Sequence, residues 1–300
     1  MNDVRRRMAA LLTPFIVAGC AAIPQPVPEP PSPVPVVEAV RDTPPPPPVA
    51  FSFEGGFVQG GLVVGTAPAG TVRLALDGRS VGLSSDGRFV IGFDRDAAPG
   101  ATLVATLADG RTHSQRLAVA PGAWAIERVD IARSAGTPSE AFRKLRAPEL
   151  ARIAAARRVD AASDGWRQRF LWPVRGRISG VFGSQRIYRG EPGAYHSGVD
   201  IAPGGSGALI VAPADGVVVL ATEKPFTLEG NLVIIDHGMG LNSAFLHLAR
   251  IDVKEGLAVR RGDPIGTVGM SGRATGPHLH WSMKWRDARI DPRPLAGPMP

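Results

Sequence analysis

Residues 278–285 read His-Leu-His-Trp-Ser-Met-Lys-Trp, and the alternation in this stretch determines the class of fold of the C-terminal part of the chain. Apolar side chains occupy every second position, and the positions between them hold His278, His280, Ser282 and Lys284. A period of two residues predicts a β-strand with one apolar face. Because the two histidines point away from that face, a role as core residues is a poor interpretation, although a solvent-exposed pair would show the same pattern.

The sequence around this stretch, from residue 166 to residue 300, continues in the same manner. Short apolar runs alternate with glycine turns, and no strand–helix–strand rhythm is present. The runs that predict further strands are 210–212, 216–221, 232–236, 243–248 and 265–268. With 36 glycines and 29 prolines in 300 residues, the composition argues against an all-helical protein or a coiled coil. We therefore predict a mainly β chain with an antiparallel C-terminal domain.

Two further segments of this domain carry side chains that could bind a metal ion. His196 and Asp200 lie four positions apart around Gly198, which disfavours a helix, so in an extended chain both side chains project to one side. His247 lies in Phe-Leu-His-Leu and would share a strand face with Phe245. Alone, His247 would be interpreted as a structural histidine.

The combination of these residues points to metal chemistry. Two histidine nitrogens and one aspartate oxygen leave one position of a tetrahedral zinc ion open for water. Zinc lowers the pKa of that water to about 7 and polarises a carbonyl group. Histidines that do not bind the ion could accept and return protons, because their pKa lies near the working pH. Each motif is weak by itself, and together they become specific.

The sequence resembles that of the M23 (lysostaphin-like, LytM-type) zinc metallopeptidases. The segments that carry the resemblance are 195–201, 245–248 and 276–281, with 180–183, 212–218 and 269–272 beside them. The resemblance implies an antiparallel β fold with a groove and one zinc ion per chain. It implies that the zinc ligands are His196, Asp200 and His280 and that the catalytic pair is His247 and His278.

The usual substrate of the family is the peptide stem or cross-bridge of peptidoglycan, so the resemblance implies peptidoglycan as the partner of this chain. The loop 202–209 departs from the family pattern, which leaves the loop beside the site without a prediction. Some relatives are non-catalytic modules that bind the cell wall and activate other hydrolases. Those typically lose ligands, whereas this chain keeps them, which favours an enzyme. A latent form, blocked by a connector or a loop, and a hydrolase of other exported proteins are the remaining alternatives.

The first fifty residues predict export and a lipid anchor. Three arginines precede the apolar run 8–19, which is too short to span a bilayer but suits a signal peptide. The run ends in Val-Ala-Gly-Cys, which resembles a bacterial lipobox and predicts lipidation of Cys20; a plain secretory signal is the alternative. By family analogy Ala21 suggests the outer membrane, with the protein on the periplasmic side. Residues 20–50 then predict a tether, in which the 12 prolines of 24–48 favour an extended chain with a reach of roughly 75 Å.

The rest of the chain predicts two further regions. Residues 51–135 show short strands and Asp-Gly turns, as in a small β-sandwich-like domain, which we interpret as a spacer or recruitment module. Residues 136–165 predict a connector in which 138–162 are helical. Pro148-Glu149 suits a helix start, and Leu150, Ile153 and Ala154 fall on one face. Residues 166–300 then form the zinc peptidase domain.

Charge and cysteine content argue against a nucleic-acid-binding protein and against disulfide or multi-cysteine zinc sites. The formal net charge is +7, but no nucleic-acid fold motif accompanies the basic residues, so no nucleic-acid partner is expected. A single cysteine excludes an intramolecular disulfide and a zinc site built from several cysteines.

Overall fold

A computed structural model describes residues 50–133 and 139–300. Its strands are mostly antiparallel, which confirms the prediction of a mainly β chain. The predicted signal peptide, Cys20 and the tether lie outside the described residues. Among the described helices, none has both the length and the apolar character needed to cross a membrane.

The N-terminal part consists of two small sheets and one further strand that pairs with the C-terminal part. Its strands are β1 (Ser52–Glu54), β2 (Leu62–Thr66), β3 (Thr71–Leu76), β4 (Arg79–Val81), β5 (Arg88–Gly92), β6 (Gly100–Leu107), β7 (Thr112–Ala118) and β8 (Ile126–Val129). One sheet has the order β1-β2-β5 and the other β4-β3-β6-β7. Their buried side chains, such as Phe89, Ile91 and Leu103, belong to one core that continues into the C-terminal part.

The C-terminal part is built around one large sheet. Its strands are β9 (Arg177–Gly180), β10 (Gln185–Tyr188), β11 (Glu191–Pro192), β12 (Val199–Ala202), β13 (Leu209–Val211), β14 (Gly216–Ala221), β15 (Asn231–Asp236), β16 (Leu241–Ile251), β17 (Ala258–Val259), β18 (Pro264–Val268), β19 (Leu279–Trp285) and β20 (Ala288–Ile290). The main order is β17-β14-β15-β16-β19-β12-β9. Strand β19, which holds the alternating stretch, is therefore central, and its apolar face is part of the core.

The last strand of the N-terminal part is shared between the two halves of the chain. β8 pairs in parallel with β10, from Ile126 opposite Gln185 to Val129 opposite Tyr188. The buried Arg95 reinforces the junction, because its guanidinium donates to the Gly183 carbonyl at 3.1 and 3.2 Å. The described residues belong to one compact unit, and the domain limits 1–19, 20–50, 51–135, 136–165 and 166–300 stay predictions.

The connector contains the helix α1 (Glu140–Ala156), which lies within the predicted helical stretch 138–162, but the start suggested at Pro148 is wrong. Ser139 begins the helix instead, because its hydroxyl accepts a hydrogen bond from the main-chain N–H of Phe142 at 3.1 Å. Pro148 lies inside the helix. The predicted face is wrong in part, since Leu150 is half exposed. The buried or half-buried face of the helix consists of residues spaced alternately four and three positions apart, namely Phe142, Arg146, Glu149, Ile153 and Ala156. A 3-10 turn (Gly165–Arg167) and the short helix α2 (Arg293–Ala296) complete the described elements.

Candidate metal and catalytic centre

Two neighbouring strands bring the first three candidate residues together. Asp200 on β12 lies directly opposite His280 on β19 in the antiparallel register. His196 precedes β12 by three residues and points to the same place. The sequence pattern predicted that His196 and Asp200 share one side of an extended chain, and the pairing of β12 with β19 adds the second histidine.

The donor atoms of these residues converge closely. His196 Nε2 lies 3.0 Å from Asp200 Oδ1, and His280 Nδ1 lies 2.8 Å from the same oxygen. The two nitrogens are 3.1 Å apart. Two imidazole nitrogens and a carboxylate oxygen at this separation require a positive charge between them, supplied by a proton or a metal ion.

The electrostatics of the group favour a bound cation. Burial opposes ionisation of Asp200, but hydrogen bonds from both histidines prevail and hold its pKa well below the usual range. Burial lowers the pKa of His280, which favours the neutral ring that a metal ligand needs. Burial also opposes the charged form of His196, yet contact with Asp200 raises the pKa of this ring. The carboxylate thus attracts positive charge to the donor atoms.

The donor set fits a tetrahedral zinc ion with an open position. Separations of 2.8 to 3.1 Å are close to the value of about 3.3 Å expected between ligands bonded at about 2.0 Å. His196 Nδ1 lies 3.2 Å from the Val181 carbonyl, the kind of outer contact that fixes the tautomer of a metal-binding histidine. The three donor atoms contact one another, and Asp200 Oδ1 also lies near His278.

Two glycines leave room for this arrangement. A Cβ atom at Gly180 would lie 2.5 Å from Asp200 Oδ2, and one at Gly198 would lie 2.8 Å from His280 Nε2. Contacts this short are not tolerated without movement of the candidate ligands. Both glycines fall within the motifs, but the spacing alone gives no reason for them.

His247 reaches the site in a way that the sequence pattern did not predict. In a regular strand it would share the buried face of Phe245, but the register of β15 with β16 gains one residue on β16 between Leu248 and Phe245. His247 lies in this bulge with φ of +66°, and the bulge turns its ring toward His278, 5.0 Å away between ring centres. The expected face was therefore wrong.

His247 and His278 have the same hydrogen-bond arrangement. His247 Nδ1 donates to the Ser271 carbonyl at 2.8 Å, and His278 Nδ1 donates to the Gly276 carbonyl at 2.8 Å. Each ring therefore directs Nε2 toward the site, and His278 Nε2 lies 3.8 Å from Asp200 Oδ1. Burial lowers the pKa of His247, so the neutral ring is favoured. Sequence reasoning missed the role of Ser271, because a main-chain carbonyl leaves no trace in the side-chain pattern.

The remaining histidine of this sheet lies elsewhere. His237 is fully buried between the Asp215 carbonyl, 2.7 Å from Nδ1, and the Ser243 hydroxyl, 2.8 Å from Nε2. Burial lowers its pKa to about 4, so it is a neutral structural residue at pH 7. Tyr195 beside His196 packs under the guanidinium of Arg95, 4.7 Å from the ring centre.

A groove of about 1370 Å³ opens beside the candidate metal ligands. His196 and Asp200 lie on its wall together with Tyr195, and the segments 125–133 and 184–188 extend it away from the site. Of the candidate histidines, His196 is thus among the lining residues of the groove.

Comparison with known proteins places these features in context. The model of Peptidase family M23 matches residues 194–292. The chain is 39% identical over 117 residues to Peptidoglycan DD-endopeptidase ShyA of Vibrio cholerae, an alignment that covers 39% of this chain and 26% of the relative. It is 34% identical over 127 residues to Murein hydrolase activator NlpD of Escherichia coli, covering 42% of this chain and 30% of the relative. The chain thus spans less than a third of the length of either relative.

A solved structure covers more of the chain. A crystal structure from Pseudomonas aeruginosa, described as a peptidase M23, has 31% sequence identity and a TM-score of 0.61. The match covers 80% of this chain and 95% of the other. The similarity therefore extends beyond the residues matched by the family model.

Proposed function

The chain belongs to peptidase family M23, and on this premise we propose that it is a zinc-dependent endopeptidase that hydrolyses peptide bonds in the stems or cross-links of peptidoglycan. The observation that carries the proposal is the convergence of donor atoms from His196, Asp200 and His280 within 3.1 Å. The activity named for the Vibrio cholerae relative supports the choice of substrate.

In the proposed reaction each side chain of the site has a distinct task. His196, Asp200 and His280 would hold one zinc ion, which supplies a Lewis acid and lowers the pKa of a water molecule. His247 and His278 keep Nδ1 on main-chain carbonyls, so Nε2 is the atom that takes a proton from the attacking water and returns it to the leaving amine. Once a ring is protonated, its Nε2–H group also stabilises the negative charge that develops on the carbonyl oxygen of the substrate.

We further propose that the enzyme is exported and anchored in the outer membrane by a lipid. Residues 1–19 would be removed as a signal peptide, and lipidated Cys20 would anchor the protein in the outer membrane. The proline-rich residues 20–50 would hold the groove away from the bilayer and near peptidoglycan.

The test is digestion of purified cross-linked peptidoglycan by the zinc-loaded full chain, with the fragments identified by mass spectrometry. We expect cross-linked dimers to become monomers, and we expect this conversion to disappear with a chelator and in the His247→Ala variant. Casein, incubated in parallel, should stay intact; its rapid zinc-dependent degradation would identify a general protease instead.

The similarity to the Escherichia coli activator defines the second candidate, a module that binds the wall and activates other hydrolases. No cleavage by a folded, zinc-loaded chain would overturn the endopeptidase and favour this alternative. The complete set of His196, Asp200, His280, His247 and His278 supports the enzyme, since an activator has no need of it.

A further inference from the structure

The groove beside the metal ligands has an uneven charge. Its lining includes Arg133, Arg186 and Arg273 but, among acids, only Glu127 and Asp200. Glu127 is already paired, because Arg186 Nε donates to its carboxylate at 2.6 Å. Asp200 is engaged by the histidines of the site. Two guanidinium groups in the groove are left without an acidic partner among the described residues.

Of these two guanidinium groups, that of Arg273 is better placed to bind a ligand beside His247 and His278. Its main-chain N–H donates to the Leu228 carbonyl at 2.9 Å, and the neighbouring Gly272, with φ of +71°, packs against Gly230 so closely that a Cβ would lie 2.3 Å from its nitrogen. Ser271, two residues before Arg273, holds the ring of His247. The backbone is thus fixed beside the catalytic pair, whereas the exposed guanidinium has no hydrogen bond or ion pair within residues 50–133 and 139–300.

Arg133 faces the groove from the N-terminal part of the chain. It follows β8, and its guanidinium makes one long contact, 3.5 Å, to the Pro192 carbonyl. The pairing of β8 with β10 and an ion pair of Arg189 with Asp130 at 3.0 Å hold this wall in place. The region 51–135, which the sequence analysis interpreted as a spacer or recruitment module, therefore contributes part of the groove.

A guanidinium group recognises one ligand chemistry especially well. Its planar donors match the two oxygens of a carboxylate, and such charge-assisted pairs are about twice as strong as neutral hydrogen bonds. We propose that Arg273, assisted by Arg133, binds a free carboxylate of the peptide substrate and selects acidic stem peptides over uncharged glycine bridges. This inference rests on the proposed endopeptidase function and adds the residues that determine specificity.

The test compares two substrates on the zinc-loaded full chain. One is a cross-linked stem-peptide dimer with free carboxylates, and the other is the same dimer with those carboxylates amidated. For Arg273→Ala we expect KM on the free-acid dimer to rise about tenfold or more with little change in kcat, and Arg273→Lys should recover part of the loss. On the amidated dimer, wild type and variant should have equal KM. The Arg133→Ala variant should show a smaller rise.

A matched control is Arg116→Ala, because Arg116 is also exposed and unpaired in the described part of the chain but does not line the groove. Binding of the free-acid dimer to the inactive His247→Ala protein, followed by calorimetry, gives a readout without turnover. Equal KM and equal binding for wild type and Arg273→Ala on both dimers would overturn the inference and leave the endopeptidase standing. Failure of the wild type to cleave either dimer would instead count against the endopeptidase itself, and the calorimetry would still decide the role of Arg273.

Discussion

At the scale of single residues, the site depends on positions where a side chain is absent. Gly180 lies against Asp200 Oδ2, and a methyl group there, 2.5 Å away, would displace the carboxylate on which both histidines converge. Ligand displacement of this kind weakens metal sites, as loss of supporting contacts typically does by 10–100-fold.

We therefore expect Gly180→Ala to weaken zinc affinity at least about tenfold and to lower activity in proportion. Competition with a fluorescent zinc chelator measures the affinity. Gly205→Ala is the matched control, since a Cβ at Gly205 meets nothing within 4 Å. Unchanged zinc affinity in Gly180→Ala would contradict the claim that the site needs the room at Gly180 to hold Asp200 in place.

A buried histidine and its neighbour make stability depend on pH in opposite senses. The pKa of His237 falls to about 4 on folding because of burial, so the unfolded chain binds more protons between about pH 4 and 6.5, and stability is lost as the pH falls through this window. Burial raises the pKa of Asp236 to about 6, so its contribution is largest at low pH and is lost as the pH rises through 6.

We expect Asp236→Asn to remove the contribution of Asp236 that opposes the loss of stability from His237 at low pH. The variant should have a higher melting temperature at pH 7, because Asp236 Oδ1 is buried and charged without a partner within the described residues. On acidification from pH 6.5 to 4, His237 lowers the free energy of unfolding of both proteins by up to about 3 kcal/mol. In wild type the contribution of Asp236 opposes this loss, so the free energy of unfolding of the variant should fall more steeply. Urea unfolding at pH 7, 5.5 and 4 measures this, and parallel curves for the two proteins would refute the assignment.

At the scale of elements, helix α1 reaches His247, one of the proposed catalytic pair, through a chain of contacts. Arg146 donates to both carboxylate oxygens of Glu229 at 2.5 Å and to Glu149 at 2.9 Å. Glu149 in turn accepts from the Thr227 N–H at 2.7 Å. The Glu229 carbonyl accepts the N–H of His247 at 2.9 Å, so the helix secures the backbone of the strained bulge.

Loss of this ion pair should loosen His247. In Arg146→Met, two carboxylates would face each other without the cation that separates them, which is strongly unfavourable at a partly buried site. We expect faster hydrogen exchange of the His247 amide and a lower kcat, with zinc content unchanged. Lys144→Met, which removes an exposed pair with Glu140 on the same helix, should leave both unchanged. Equal protection of His247 in wild type and Arg146→Met would contradict the link.

The same elements show which features the sequence could predict. The strand at 279–285 was predictable because its apolar face has a period of two residues. The bulge at His247 was not, because it depends on the register of the neighbouring strand β15. The helical stretch 138–162 was predictable, but the start signal was misassigned, because Pro148-Glu149 is a good local signal whereas Ser139 supplies the cap that the structure uses.

At the scale of the whole molecule, the two β regions share a strand pair and a core. The parallel pairing of β8 with β10 joins residues about sixty positions apart, and no local pattern encodes such a contact. The sequence therefore predicted the two β regions separately but could not predict the groove wall that the first gives to the second.

We propose that one zinc ion at His196, Asp200 and His280 makes the chain a peptidoglycan endopeptidase. The most direct measurement titrates metal-free protein with zinc and follows both bound metal and the release of monomers from cross-linked stem-peptide dimers. We expect activity to rise linearly and to reach its plateau at one zinc per chain, and we expect His280→Ala neither to bind zinc nor to release monomers. Full activity without metal, or no cleavage by the folded, zinc-saturated chain, would contradict it.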